Sequence, residues 1–173
     1  MTHRKINARL DALEARVDVL EGGRPEPRPV FAVDVPVETE GIDVYHRTSS
    51  GSIDWEKVAS AARFAIVKVS EGQDCTDPRA GDYLAGAKAA GLLVGVYHFA
   101  RPDSVAKTPS ADAKAEAEDC LAAIVKTGVE LDNLKFESGR TAAVWLDLER
   151  DAPKLSKAEG LRWCLEWCAT VER

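Results

Sequence analysis

No apolar run in this chain approaches the ~20 residues that cross a bilayer as a helix; stretches such as residues 92–96 (LLVGV) are far shorter. No charged-then-apolar leader opens it either, since residues 1–20 carry a charge every few positions. The expectation is neither a membrane protein nor a conventionally secreted precursor. A basic excess is also missing: 23 Lys and Arg stand against 29 Asp and Glu, a formal net charge of −6. A general binder of phosphate backbones leans the other way, which argues against a nucleic-acid partner. Cysteines number four (Cys75, Cys120, Cys164, Cys168), with no CxxC pair and no zinc-type spacing. Cys164 and Cys168 fall on one face of a predicted helix and read first as buried thiols in a reduced compartment, with a metal or redox role as the lesser reading. No metal site is spelled out. What is present is 45% hydrophobic residues in 173, enough to bury the core of one ordinary domain and too many for a disordered chain.

The first 21 residues stand apart. Ile6, Leu10, Leu13, Val17 and Leu20 are spaced four, three, four, three, a heptad seam with Leu10 and Val17 at a and the others at d. Arg9 and Arg16 fall at g, and Glu14 and Glu21 at the following e positions, where parallel partner helices would pair them. Residues 1–21 are therefore predicted to form a short coiled-coil helix and to make the chain a homo-oligomer through residues 6–20. An amphipathic helix packed on its own domain is the other reading. Gly22-Gly23 stops the helix, and proline at every second position from Pro25 to Pro29 reads as a stiff spacer within a linker and lead-in over residues 22–40.

From residue 41 onward, short apolar strands alternate with helical stretches. Strands are predicted at 41–45, 64–70, 92–99 and 142–148, with a weaker one at 30–35 that Pro36 confines to an edge. Helices are predicted at 55–62 behind Asp54, at 80–90 before Gly91, at 110–127 with Ser110 or a neighbour as cap, and at 156–171 behind a Ser156–Glu159 capping box. Near-continuous apolar strands separated by helices are the pattern of a parallel α/β sheet or barrel.

In that architecture, chemistry sits at the carboxyl ends of the strands. The first strand carries Asp43, Tyr45 and His46. The second ends Lys68-Val69-Ser70-Glu71-Gly72, the third Tyr97-His98-Phe99 before Arg101 and Asp103, and the fourth Asp147-Leu148-Glu149. Asp147 and Glu149 share a strand face with Cα atoms ~7 Å apart. Trp145 lies on that face, while Val144, Leu146 and Leu148 point to the covering helices. Carboxylates crowded beside aromatic rings raise the pKa of at least one of them and so supply a general acid near neutrality. An acid of that kind beside an ionised carboxylate is the equipment of glycosidic bond cleavage.

These residues resemble glycoside hydrolase family 25, the Chalaropsis-type lysozymes found in many phage endolysins. GIDVYHRTSSGSIDWEKV is similar to that family's first strand and IDW turn. Lys68 to Gly72 with Asp77 is similar to its K-x-[ST]-E-G…[DN] signature, VGVYHFARP to its third strand and WLDLE to its DxE. The sequence departs around Thr48, where the family has Asn or Gln, and at Cys75, where an aromatic is usual. The resemblance implies an N-acetylmuramidase that cuts the β-1,4 bond between N-acetylmuramic acid and N-acetylglucosamine in peptidoglycan, without a cofactor. It implies Glu149 as general acid, Asp147 as the group that stabilises or orients the developing positive charge, and Asp43 and Glu71 completing the acidic floor. Tyr97 is implied as a sugar contact, with Tyr45 and Trp145 beside it. His98 and Phe99 read equally as barrel packing, Lys68 as a counter-ion for the carboxylates, and Trp55 as helix packing. The implied fold is an incomplete TIM-like β/α barrel of about four βα units over residues 41–173, since a whole barrel takes at least ~200 residues. A fragment of a longer lysin, one half of a split endolysin with a second chain completing the barrel, or a non-catalytic virion or oligomerising structural protein are the alternatives. For a phage lysin, the implied location is the host cytoplasm with holin-type release, or the virion.

Overall fold

The computed structural model describes residues 33–34, 40–49, 52–102, 108–132, 134–135, 141–149 and 155–173. The heptad seam of residues 6–20, the proline spacer and Asp103 lie outside the described residues. In chain order the elements are β1 (Val33–Asp34), β2 (Gly41–Val44), α1 (Trp55–Ala59), β3 (Phe64–Glu71), β4 (Cys75–Thr76), α2 (Ala80–Ala89) and β5 (Leu93–Phe99). Then follow α3 (Pro109–Thr127), β6 (Leu134–Lys135), β7 (Thr141–Ala142), β8 (Val144–Asp147) and α4 (Lys157–Val171).

Strands β2, β3, β5 and β8 lie side by side in that order, each neighbouring pair parallel, with β4 folded back antiparallel on the end of β3. Parallel neighbours need long crossovers, and α1, α2 and α3 lie in them. The fold is thus a mixed α/β one built on a parallel sheet. A second small sheet joins β1, β6 and β7.

Local chemistry explains most helix boundaries. Asp54 accepts from Lys57 N at 3.0 Å to open α1, and the Ser156–Glu159 capping box opens α4 as expected. The cap of α3 is Thr108 rather than Ser110: its hydroxyl accepts from Ala111 N, and Pro109 takes the first helical position, where its missing N–H costs nothing. Gly128, at φ 65°, closes that helix in the left-handed conformation. Three expectations need correction. Helix α1 stops at Ala59, short of 62. The strand expected at 142–148 is divided, with β7 in the small sheet and β8 in the large one. Leu148 lies beyond the end of β8 and is 45% exposed, so it is not covered by helices.

The outward face of the sheet carries Val44, Ala65, Val67, Val69, Val94 and Val96, all packed with Tyr83, Leu84, Trp163 and Trp167 of the helices into one core. Each fully buried valine contributes about 1.5–3 kcal/mol relative to exposure. Trp163 is satisfied as well as buried, its Nε1 donating to Asp112 Oδ2 at 2.8 Å. Trp55 meets Tyr83 edge-on at 5.9 Å, which makes it a packing residue between α1 and α2.

The opposite, inward face is smaller. Ile66 is buried there, with Phe64, Leu93, Tyr97 and Trp145 against it. The Trp145 ring lies across Gly95, where a Cβ would come within 2.3 Å of the indole and 3.1 Å of the Ala143 carbonyl. Gly95→Val is expected to cost about 1–3 kcal/mol by overpacking, measured by urea unfolding, and adding Trp145→Leu should recover part of the loss. A Gly95→Val chain as stable as the wild type would show that the indole does not occupy that place.

Candidate active site

Strict alternation along β3 would put Lys68 and Ser70 on one face and Glu71 on the other. The pairing with β5 does not keep that rule. Lys68 stands opposite Tyr97 but Ser70 opposite His98, so the register slips by one and Val69 is an extra residue. The bulge turns Ser70 to the helix side, where its hydroxyl lies 2.8 Å from His98 Nδ1, and turns Glu71 inward beside Lys68. Asp77 N donates to the Val69 carbonyl at 2.8 Å, which ties the hairpin formed with β4 to the bulge.

The inward face therefore presents Asp43 from β2, Lys68 and Glu71 from β3, Tyr97 and Phe99 from β5, and Asp147 from β8. Phe99 pairs with Glu71 on one side and Asp147 on the other, and Tyr97 with Trp145, so these residues share one end of the sheet. Tyr45 follows β2 directly and Glu149 lies two residues past the end of β8, both exposed. Trp145 is placed lower, in the apolar cluster beneath the carboxylates.

Charge is distributed unevenly over this rim. Burial, then the neighbouring Glu149 and Asp43 carboxylates, push the Asp147 carboxyl up to about 6, against the opposing pull of Lys68. Asp147 is thus the member of the DxE pair whose surroundings favour a proton. Tyr97 is held well above the usual phenol range by burial and by Asp43, Asp147, Asp77 and Tyr45, so it stays a neutral hydrogen-bonding group. At Glu71 burial opposes the charge, but hydrogen bonds from Lys68 and Arg101 outweigh it and hold the carboxyl below the usual range. Glu71 is a fixed anion paired to two cations, unlike the other carboxylates of the rim. Lys68 is buried, bonded to Glu71, and lies 4.8 Å from the Phe99 ring centroid and 5.6 Å from that of Tyr45.

Asp77 acts through the backbone. Its buried carboxylate accepts the His46 N–H at 2.9 Å and the Arg79 N–H at 2.9 Å, and His46 Nδ1 lies 2.9 Å from it. Tyr45 N donates to the Thr48 hydroxyl at 2.9 Å, closing the turn that carries the Tyr45 ring. Two partners were not assigned from sequence: Arg101, which clamps Glu71, and Phe99, which underlies Lys68. An arginine two residues past a strand that ends among carboxylates was the available signal for the first. Among the described residues no group of three or more His, Cys, Asp or Glu side chains could hold a metal ion.

Comparison with known proteins bears on the family and the fold. The sequence model of the glycosyl hydrolases family 25 matches residues 42–173. Lysozyme M1 of Streptomyces globisporus is 38% identical over 98 residues, which are 56% of this chain and 32% of that protein. The muramidase of Trichobolus zukalii superposes with a TM-score of 0.55 at 27% identity, covering 76% of this chain and 58% of that one. The family GH25 lysozyme of Aspergillus fumigatus gives 0.54 at 26% identity, covering 77% and 59%. The chain thus spans from about a third to three fifths of the length of these relatives. With the motifs of all four strands in order on a parallel sheet of this kind, the chain belongs to the glycosyl hydrolases family 25.

Proposed function

We propose that this chain is the part of a peptidoglycan-cleaving N-acetylmuramidase that carries the reacting carboxylates, and that β2, β3, β5 and β8 are the opening strands of a TIM-like β/α barrel. The observation that carries the reading is the rim itself, where Asp43, Asp147 and Glu149 gather above an aromatic floor at the carboxyl ends of parallel strands. The bond attacked is the β-1,4 linkage between N-acetylmuramic acid and N-acetylglucosamine. The surroundings of Asp147 favour a proton, and the neighbouring Glu149, whose charge acts on that carboxyl, receives it. Glu149 is the exposed member and delivers it to the leaving oxygen. Asp147, then ionised, stabilises the positive charge that grows on the sugar or orients the substrate's acetamido group.

Asp43 adds negative charge beneath the same ring. Tyr97, neutral and half-buried, donates a hydrogen bond to the sugar, and Tyr45 flanks the groove. Lys68, anchored by Glu71, limits the mutual repulsion of the carboxylates. The remaining strands of a barrel come from further polypeptide, whether a continuation of this chain or a partner chain, and a coiled coil of residues 6–20 would bring copies of the chain together.

Reducing-sugar release from purified peptidoglycan tests the reading. Glu149→Gln should lower it by roughly 10²–10⁴-fold in a protein of unchanged melting temperature. No release from folded wild-type protein would sink autonomous catalysis. The Asp147 shift makes a separate forecast. Its folded value of about 6 lies above the ordinary 3.8, so ionising it favours the unfolded chain. The associated stability is present below pH ~4 and is lost as pH rises through ~6. Asp147→Asn escapes that loss, so its melting temperature should gain on the wild type over this window; a constant difference would show that Asp147 is not shifted. For the coiled coil, Leu13→Asp should convert an oligomeric full-length chain to monomer in sedimentation velocity, and an unchanged sedimentation coefficient would refute the seam.

A further inference from the structure

On the helix side of the sheet lies a second polar cluster with no part in the chemistry above. Glu116 of α3 is 1% exposed and His98 of β5 is 0% exposed. His98 Nε2 lies 2.8 Å from Glu116 Oε2, Nδ1 lies 2.8 Å from the Ser70 hydroxyl, and the ring stacks on Trp167 with centroids 5.5 Å apart. The same Glu116 oxygen accepts the backbone N–H of Arg101 at 3.1 Å. With Glu116 accepting, Nε2 donates to it, and Nδ1 lies within hydrogen-bond distance of the Ser70 hydroxyl, so each ring nitrogen has a partner.

The second bond of Glu116 leads to the rim. Strand β5 ends at Phe99, and the two residues after it serve the inward face. Ala100 N donates to the Asp147 carbonyl at 2.8 Å. The Arg101 stem lies over Gly72, in contact range of any Cβ there at 3.3 Å, and its guanidinium donates to Glu71. Glu71 holds Lys68, and Lys68 lies against Tyr45 and Phe99. One buried oxygen on the far side of the sheet therefore stands at the head of a connected series that ends on Lys68 and the rings beside it, with the main chain of Asp147 held next to it.

We propose that Glu116 is a positioning residue for the muramidase reaction, fixing the exit of β5 so that Ala100 holds Asp147 and Arg101 reaches Glu71. The proposal rests on the muramidase reading for its catalytic consequence but not for its geometry. It separates Glu116 from its helical neighbour Asp112, whose carboxylate accepts from Gln73 Nε2 and Trp163 Nε1 and joins α3 to α4 and to the turn after β3. Glu116 reaches the β5 exit itself.

The test uses the full chain. In the wild type, amide exchange followed by NMR should show Arg101 N–H protected, although this residue lies past the strand end with its side chain 44% exposed. Glu116→Gln keeps an acceptor oxygen where both donors converge, and Glu116→Leu removes it at similar volume. Gln should retain the Arg101 protection. Leu should lose it by roughly 10- to 100-fold and should move the Arg101 Nε–H resonance to its position in Glu71→Gln. In the sugar-release assay, Leu should lower kcat about tenfold or more with little change in KM, and Gln should restore it. A folded Glu116→Leu chain whose Arg101 resonances do not move overturns the proposal. If that variant does not fold, the wild type decides: an Arg101 amide exchanging as fast as a free loop overturns it equally. Wild-type protein without sugar release, but with the NMR responses described, would sink autonomous catalysis and leave the positioning of Arg101 by Glu116 standing.

Discussion

The arrangement of the rim depends on one extra residue in β3. A regular strand delivers alternate side chains to alternate faces, and β3 is buried on both, so each position is committed to a side. Val69 breaks the count between Lys68 and Ser70. Below the break the strand sends Ala65 and Val67 to the helices and Ile66 and Lys68 inward. Above it, Ser70 joins the helix-side network and Glu71 turns inward to meet Lys68. Without the bulge, Glu71 would be driven among the apolar residues of the helix layer with no cation beside it, and burial of an unpaired carboxylate is among the most costly events in a fold.

That geometry settles the electrostatics. A buried ammonium needs a partner, and Lys68 finds one carboxylate and two aromatic faces within its reach. Glu71 is then fully engaged, with Arg101 covering its solvent side. The carboxylates that remain, Asp43, Asp147 and Glu149, have no such clamp among the described contacts and repel one another. The half-buried Asp147 absorbs this repulsion by holding a proton nearer neutrality, while Glu149 stands in solvent. Division of labour among acids of the same type thus follows from burial and counter-charge, the two factors that distinguish a structural ion pair from a group able to exchange protons.

The sheet is asymmetric in a way that suits a site on one face. Its helix side is close-packed with valine, alanine and tryptophan and contains the buried polar residues His98, Glu116 and Asp112, each satisfied by named partners. Its inward side is lined by larger, partly covered side chains, Phe64, Leu93, Tyr97 and Trp145, beneath the charged rim. Gly95 allows the indole of Trp145 to lie flat there, so the floor under the carboxylates is aromatic and rigid. The sequential parallel order of β2, β3, β5 and β8 places the end of every strand on the same edge, which is why residues more than a hundred positions apart, such as Asp43 and Asp147, influence one another.

Much of this was legible in the residues alone, because continuous apolar strands, glycine stops and capping residues act locally. The four parallel strands, the helices between them, the Ser156–Glu159 box and the acidic strand ends were all written in short segments. Trp55 and Lys68 were placed in their packing and counter-ion roles for the same reason. Tertiary structure decided what no local pattern encodes. The bulge at Val69 reverses the facing of Glu71 through its pairing with β5. Division of the 142–148 run between two sheets and the exposure of Leu148 depend on neighbours distant in sequence or on where a strand stops. Above all, the sequence named a set of carboxylates for one acidic floor, and folding separated them. Of the cations that neutralise Glu71, Lys68 lies on the same strand and Arg101 on the segment past β5, and the burial that raises Asp147 exists once the sheet has formed.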